Sequence, residues 1–166
     1  MFYEDVFRKL GESKIRYAVA GGVALVLHGV VRLTADLDLI VELSTENLRK
    51  FITAINELGY KPKPPVNAED FIDPLYRKAW KEEKGMEVFS FYHPKMPMNL
   101  IDVFVNEPIG FNEIENEIVI FKARDIEIPA ISKKHLKVLK GKANRPQDIA
   151  DIEALEEIDR MDHKDE

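Results

Sequence analysis

The sequence predicts an α/β fold: a small mixed sheet flanked by helices, with a short helical extension at the C-terminal side. Three observations carry this. Apolar strand-like segments and helix-period segments alternate through the first 60 residues. Several strand-like runs then follow one another between residues 86 and 131. Two helical patterns come last, the second opening at Pro146.

Taken in order, residues 4–12 read as a short amphipathic helix, with Val6, Phe7 and Leu10 on one face and Gly11 where a C-cap glycine belongs. The branched and aromatic segment "IRYAVA" (15–20) reads as a strand that runs into Gly21-Gly22. "VALVLHG" then reads as a short buried helix, with His28 a satisfied residue near its end. "DLDLIVEL" (36–43) reads as a second strand. After the cap signal "STEN", Leu48, Phe51, Ile52, Ile55 and Leu58 recur at helical spacing and Gly59 closes the helix. Residues 61–74 are proline-rich and read as loop with some local order, and Asp73-Pro74 suits the start of a helix over "LYRKAWKEEKG". "MEVFSFYH" and "NLIDVFV" read as strands joined by a proline-broken "PKMPM". Residues 116–131 read as a hairpin or two short edge strands. The helices "SKKHLKVLKGK" and "PQDIADIEALEEI" close the pattern, and the charged "DRMDHKDE" is expected to fray. The expected organisation is a core over 1–131, two packed helices over 132–160 and a flexible tail over 161–166.

Composition narrows the function. The 166 residues suit one domain, and 45% hydrophobic residues suffice for a core. No run of 18 apolar residues is present, so no membrane span is expected. With no cysteine, thiolate chemistry and disulfides are excluded, which fits a cytoplasmic protein. The net charge of −6 argues against a broad duplex nucleic-acid footprint, although Lys61, Lys63, Lys133, Lys134, Lys137, Lys140 and Lys142 are compatible with local basic patches. Lys133 to Lys142 is also what a solvated helix face looks like.

The chemistry concentrates in "AGGVALVLHGVVRLTADLDLIV", Ala20 to Val41. Period-two alternation sends Asp36 and Asp38 to one face and Leu37 and Leu39 to the other. Two neighbouring carboxylates repel unless a cation faces them. A magnesium ion, or manganese in its place, is satisfied by a few carboxylates plus substrate phosphates. Asp102, alone among apolar residues, gives a third carboxylate if its strand lies beside that of Asp36. Gly21-Gly22, between a strand and a helix, suit close approach of a phosphate, with Arg32 and Thr34 between the two grips. Each element also has a plain reading. The glycines form an ordinary turn, the aspartates pair with Arg16, Arg32 or Arg124, and Asp148 and Asp151 form a solvated acidic helix face.

The ordered set Gly21-Gly22-x-Ala24, His28-Gly29, Arg32-x-Thr34-x-Asp36-Leu37-Asp38 and the later Asp102 resembles the nucleotidyltransferase superfamily with the DNA polymerase β-like fold. The closer likeness is to its AbiEii-type branch, and Lys140 followed by Arg145, Asp148 and Asp151 resembles that branch's K/R-x-x-D-x-x-D segment. The resemblance implies a magnesium-dependent transfer of a nucleoside monophosphate from an NTP, ATP among them, to an acceptor hydroxyl. It implies Asp36, Asp38 and Asp102 as metal-binding and catalytic residues. Gly21, Gly22, Arg32, Thr34, Lys140 and Arg145 would hold the nucleotide, with Asp148 orienting a cation. The acceptor classes it implies are a tRNA, a protein or a small molecule, and since the branch includes toxins, a toxin role with an antitoxin partner. The alternative is a non-catalytic nucleotide- or metal-binding module.

Overall fold

The computed structural model describes residues 2–164; Met1, Asp165 and Glu166 lie outside the described residues. The first helix, α1 (Glu4–Glu12), buries Val6, Phe7 and Leu10. It runs through Gly11, and Lys14 takes the left-handed backbone after it (φ 54°), so the expected glycine C-cap is displaced by three residues. Tyr3, just before α1, is also left-handed (φ 61°), a conformation that costs a bulky residue about 1–3 kcal/mol.

Strand β1 (Tyr17–Ala20) leads directly into α2 (Gly21–Leu27), and β2 (Leu37–Val41) is shorter than the sequence pattern suggests, leaving Asp36 at a bend just before it. Helix α3 (Thr45–Glu57) is capped by Ser44, whose side chain accepts from the Asn47 amide, and Gly59 (φ 90°) allows the turn after it. A two-residue strand, β3 (Lys61–Pro62), and a 3-10 turn (Ala68–Ile72) supply the local order of the proline-rich stretch. Helix α4 (Pro74–Lys84) starts as expected, with the Leu75 amide donating to Asp73 Oδ1 at 2.9 Å.

Strands β4 (Val88–His93) and β5 (Met96–Phe104) form a hairpin whose turn is Pro94-Lys95. Pro97 therefore sits within β5, near its start, rather than in a broken connection. Helix α5 (Phe111–Asn116), which the sequence pattern does not announce, precedes the hairpin of β6 (Val119–Ala123) and β7 (Ile126–Ala130). Helices α6 (Lys133–Ala143) and α7 (Pro146–Lys164) close the fold. Residues 159–164, expected to fray, continue α7 because Asp159 is held by Lys133 and by Lys137 at 2.8 Å. The remaining two residues of the expected tail lie outside the described residues.

The sheet has seven strands in the order β3-β4-β5-β2-β1-β7-β6. The β2–β5 and β1–β7 pairs are parallel and the rest antiparallel, so the sheet is mixed. β7 is thus an internal strand, and only β6 of that hairpin is an edge.

Register divides the sheet into two faces. Phe89, Val103 and Leu39 lie in one cross-strand row, and Phe91, Ile101 and Leu37 in another, all fully buried. Aromatic rings from the helical layer cover these rows: Phe71 and Trp80 stand 5.4 and 5.1 Å from Phe89, and Phe51 stands 6.1 Å from Phe91. Burying each such side chain contributes roughly 1.5–3 kcal/mol. The opposite face carries Ser90, Asp102 and Asp38. No described helix is long and apolar enough to cross a membrane.

Candidate active site

A polar row crosses four strands on the less covered face. Ser90 on β4 pairs with Asp102 on β5, Asp102 with Asp38 on β2, and Asp38 with Ala20 on β1. The row ends where Ala20 gives way to Gly21. The Asp102 strand thus lies beside the strand that follows Asp36, as the convergence of carboxylates required, and the pair is parallel with Asp102 next to Asp38. Ser90 donates to Asp102 Oδ1 at 2.5 Å.

Gly21 is needed for two reasons. Its φ is +59°, and a Cβ there would stand 2.0 Å from Asp38 Oδ2. The Asp38 carboxylate occupies the space a side chain would fill. At Gly22 a Cβ would meet Thr34 Oγ1 at 2.4 Å, which docks the Arg32–Thr34 loop onto the start of α2. No side chain caps the first amides of α2.

Burial pushes the Asp38 carboxyl up to about 7, and the negative charges of Asp102 and Asp36 push the same way against the weaker pull of Lys140 and Arg32. The Asp102 carboxyl is also raised, chiefly by burial, although the Ser90 hydrogen bond opposes this. Among the described residues none of the three aspartates forms an ion pair. Arg16 pairs with Glu115 and Glu42, Arg124 with Glu4, and Arg32 with Asp151. The expected pairing of the aspartates with Arg16, Arg32 or Arg124 is therefore not formed.

The cationic side is built by α6, α7 and the Arg32 loop. Asp148 and Asp151, three apart on α7, share a face and are both buried. Lys140 reaches them at 3.3 and 3.1 Å, Arg32 Nη1 donates to Asp151 Oδ2 at 2.8 Å, and Arg145 Nε donates to Asp148 Oδ2 at 2.8 Å. The Arg145 hydrogen bond is the main reason the Asp148 carboxyl falls to about 2. These cations are thus held by carboxylates rather than standing free.

A cavity of about 1010 Å³ lies between the two sides. Gly21, Gly22, Arg32, Thr34, Asp36 and Asp38 line one wall, and Lys140, Arg145 and Asp148 line another. Asp102 is not part of the lining and stands next to Asp38 in the row. His28 is structural: its Nε2 lies 2.8 Å from the Ile131 carbonyl and its ring packs edge-on to Phe121.

The donor set fits a hard divalent cation. It consists of oxygen ligands only, and the Asp38 carboxyl is raised first by burial and then by its carboxylate neighbours, the second of which is a cost that a cation would offset. Among the described residues no group of three or more Asp, Glu, His or Cys side chains is placed to hold a metal ion by itself. Magnesium does not require one, since one or two carboxylates with substrate phosphates and waters suffice.

Two participants, Ser90 and Tyr3, escaped the sequence pattern, and a third, Asp151, was read without its partners. Ser90 alternates between the buried Phe89 and Phe91, which placed it on the open face but not beside Asp102. Asp151, visible by its spacing from Asp148, turns out to bridge Arg32 and Lys140. Tyr3 carried no signal, because its hydroxyl contacts, Ala35 and Leu100, lie far along the chain.

Solved structures share this architecture. The lincomycin-bound lincosamide antibiotic adenylyltransferase LnuA matches with a TM-score of 0.60 at 19% identity, over 92% of this chain and 93% of its own. ANT(2")-Ia in complex with adenylyl-2"-tobramycin matches with a TM-score of 0.58 at 13% identity, over 93% and 89%. The chain has the nucleotidyltransferase fold. A nucleotidyltransferase-like protein from Paracoccidioides brasiliensis also shares it, with a TM-score of 0.55 at 15% identity, over 90% of this chain and 71% of that one. Comparison of the sequence with protein-family models and with curated proteins gives no match.

Proposed function

We propose that the chain transfers a nucleoside monophosphate from an NTP to an acceptor hydroxyl, releasing pyrophosphate. The observation that carries this reading is the arrangement of carboxylates: Asp36 and Asp38, without ion-pair partners among the described residues and with Gly21 against Asp38, face a cationic cluster across one cavity, and Asp102 stands next to Asp38. In the reaction the acceptor oxygen bonds to the α-phosphorus, the bond to the pyrophosphate oxygen breaks, and the acceptor proton passes to Asp102. The raised Asp102 carboxyl makes it a better base than an exposed aspartate, and Ser90 fixes its orientation. Asp36 and Asp38, with Asp102 beside them, would hold magnesium, which when bound neutralises phosphate charge. Gly21 and Gly22 leave room for phosphate oxygens near the backbone. Arg32, Lys140 and Arg145 would meet the phosphates by giving up part of their contact with Asp151 and Asp148, and Thr34 holds the Arg32 loop against Gly22.

Two observations favour a small-molecule acceptor over a tRNA end or a protein. Four of the five lysines of α6 are paired with carboxylates, Lys133 and Lys137 with Asp159, Lys134 with Glu117, and Lys140 with Asp148 and Asp151, and Lys142 donates to the Pro108 carbonyl. They offer no free cationic track for a polyanion. LnuA and ANT(2")-Ia are also seen with lincomycin and adenylyl-2"-tobramycin. A toxin role and an antitoxin partner rest on the AbiEii-type motif alone.

The test is pyrophosphate release with each of the four NTPs, with and without magnesium, against a panel of hydroxylated acceptors, preceded by thermal melting with the same NTPs. A magnesium-dependent melting rise and release, both lost in Asp38→Asn, is the expected result. Release by Asp38→Asn at the wild-type rate would overturn the mechanism. Binding without release would favour a nucleotide-binding module.

A further inference from the structure

The β2–β5 ladder begins at Leu37↔Ile101 and continues through Asp38↔Asp102. Immediately before it, the two chains are joined by one side chain instead of by each other. The Tyr3 hydroxyl donates to the Ala35 carbonyl at 2.5 Å and accepts from the Leu100 amide at 3.1 Å. The Leu100 carbonyl is also close, at 3.2 Å, but a hydroxyl has one proton and the shorter contact takes it. Ala35 directly precedes Asp36, and Leu100 lies two residues before Asp102 on the same side of the strand. Tyr3 is buried, 5% exposed, and adopts left-handed backbone (φ 61°) to place its ring there. Its hydroxyl senses the negative charge of Asp36, Asp102 and Asp38, although burial is the larger cause of its raised pKa. A strained backbone that delivers a hydroxyl to this junction suits a role in the site.

We propose that Tyr3 is a positioning residue, whose hydroxyl holds the segment before β2 against β5 and thereby fixes where Asp36 stands relative to Asp102. This rests on the nucleotidyltransfer reading. Tyr3 contacts none of Arg32, Lys140 and Arg145, so its effect falls on the metal-binding and chemical step and not on donor capture.

The test compares wild type, Tyr3→Phe and Asp38→Asn. Manganese binding is read from the free-ion electron paramagnetic resonance signal. Pyrophosphate release gives kcat and KM, and amide exchange is followed at Leu100. Tyr3→Phe is expected to weaken manganese binding and lower kcat by about 10-fold each, the size usual for groups that orient metal ligands, with KM for the NTP unchanged. Leu100 exchange should quicken while melting shifts by only a few degrees. Tyr3→Phe with wild-type manganese affinity and kcat overturns the assignment of Tyr3 and leaves the nucleotidyltransfer reading standing. Wild type that binds manganese no better than Asp38→Asn overturns both. Should Tyr3→Phe not fold, wild type alone decides. Manganese and the Tyr3 clamp hold the same two segments, so saturation with manganese must slow Leu100 exchange, and unchanged exchange overturns the proposal.

Discussion

Asp38 carries an energetic cost that its surroundings impose. Its carboxyl is raised from 3.8 to about 7 in the folded protein. In that window the unfolded chain has released its proton and the folded chain has not. Stability therefore falls as pH rises from 3.8 toward about 7 and levels off above it, by up to ~4 kcal/mol. Asp38→Asn removes this cost, so in metal-free buffer at pH 8 the variant should melt higher than wild type while its transfer activity is lost. Melting temperatures that run parallel across pH would refute it. The glycines give a contrasting pair. Gly21→Ala needs left-handed backbone, costing about 1–2 kcal/mol, and its Cβ displaces Asp38 as well. Gly11→Ala meets nothing within 4 Å and lies inside α1, so it should stabilise by about 0.5–1 kcal/mol. Chemical denaturation of both variants checks the opposite signs. The special status of Gly21 was legible only as a strand–helix junction. Its collision with Asp38 depends on β1 and β2 being antiparallel neighbours, which local sequence does not state.

At the scale of elements, α7 is the hub of the cationic side. Asp148 bonds Lys140 and Arg145, and Asp151 bonds Lys140 and Arg32. Asp148→Asn should cost about 2 kcal/mol, the usual worth of hydrogen bonds to charged groups, and Asp151→Asn somewhat less. Because both share Lys140, the double variant should lose less than the sum, which a double-mutant cycle in urea measures. Additive losses would mean that Lys140 does not couple them. The helices with strong caps, α3 and α4, were legible almost to the residue, since Ser44, Asp73 and Gly85 act locally. The short α5 was not, because six residues carry too few turns to show a period. The helical continuation of α7 was also hidden, because "DRMDHK" is polar except for the exposed Met161 and is held by Lys133 and Lys137 from another helix. Asp38 and Asp102 were legible because charge inside apolar strands stands out, whereas Asp36, read as part of the same strand, lies at the bend before it. Their convergence needed the parallel β2–β5 pairing.

For the whole molecule, two opposing titrations shape stability. The Asp148 and Asp159 carboxyls are lowered to about 2, by Arg145 and by Lys133 foremost. The stability they contribute is present above 3.8 and is lost as pH falls toward about 2. With the Asp38 cost on the other limb, metal-free protein should show a dome of melting temperature against pH. Magnesium, or Asp38→Asn, should flatten its alkaline limb only, and a flattening of the acid limb would contradict this assignment. The strand order has a consequence for synthesis. β1, whose four residues are all buried, lies between β2 and β7, yet β7 is the last strand made. On the ribosome the β1–β2 pair, connected through α2, must wait with the β7-facing edge of β1 bare while roughly a hundred further residues are translated, on the order of 5–20 s. During that interval a chaperone, or the same edge of a neighbouring nascent chain, competes with β7 for β1.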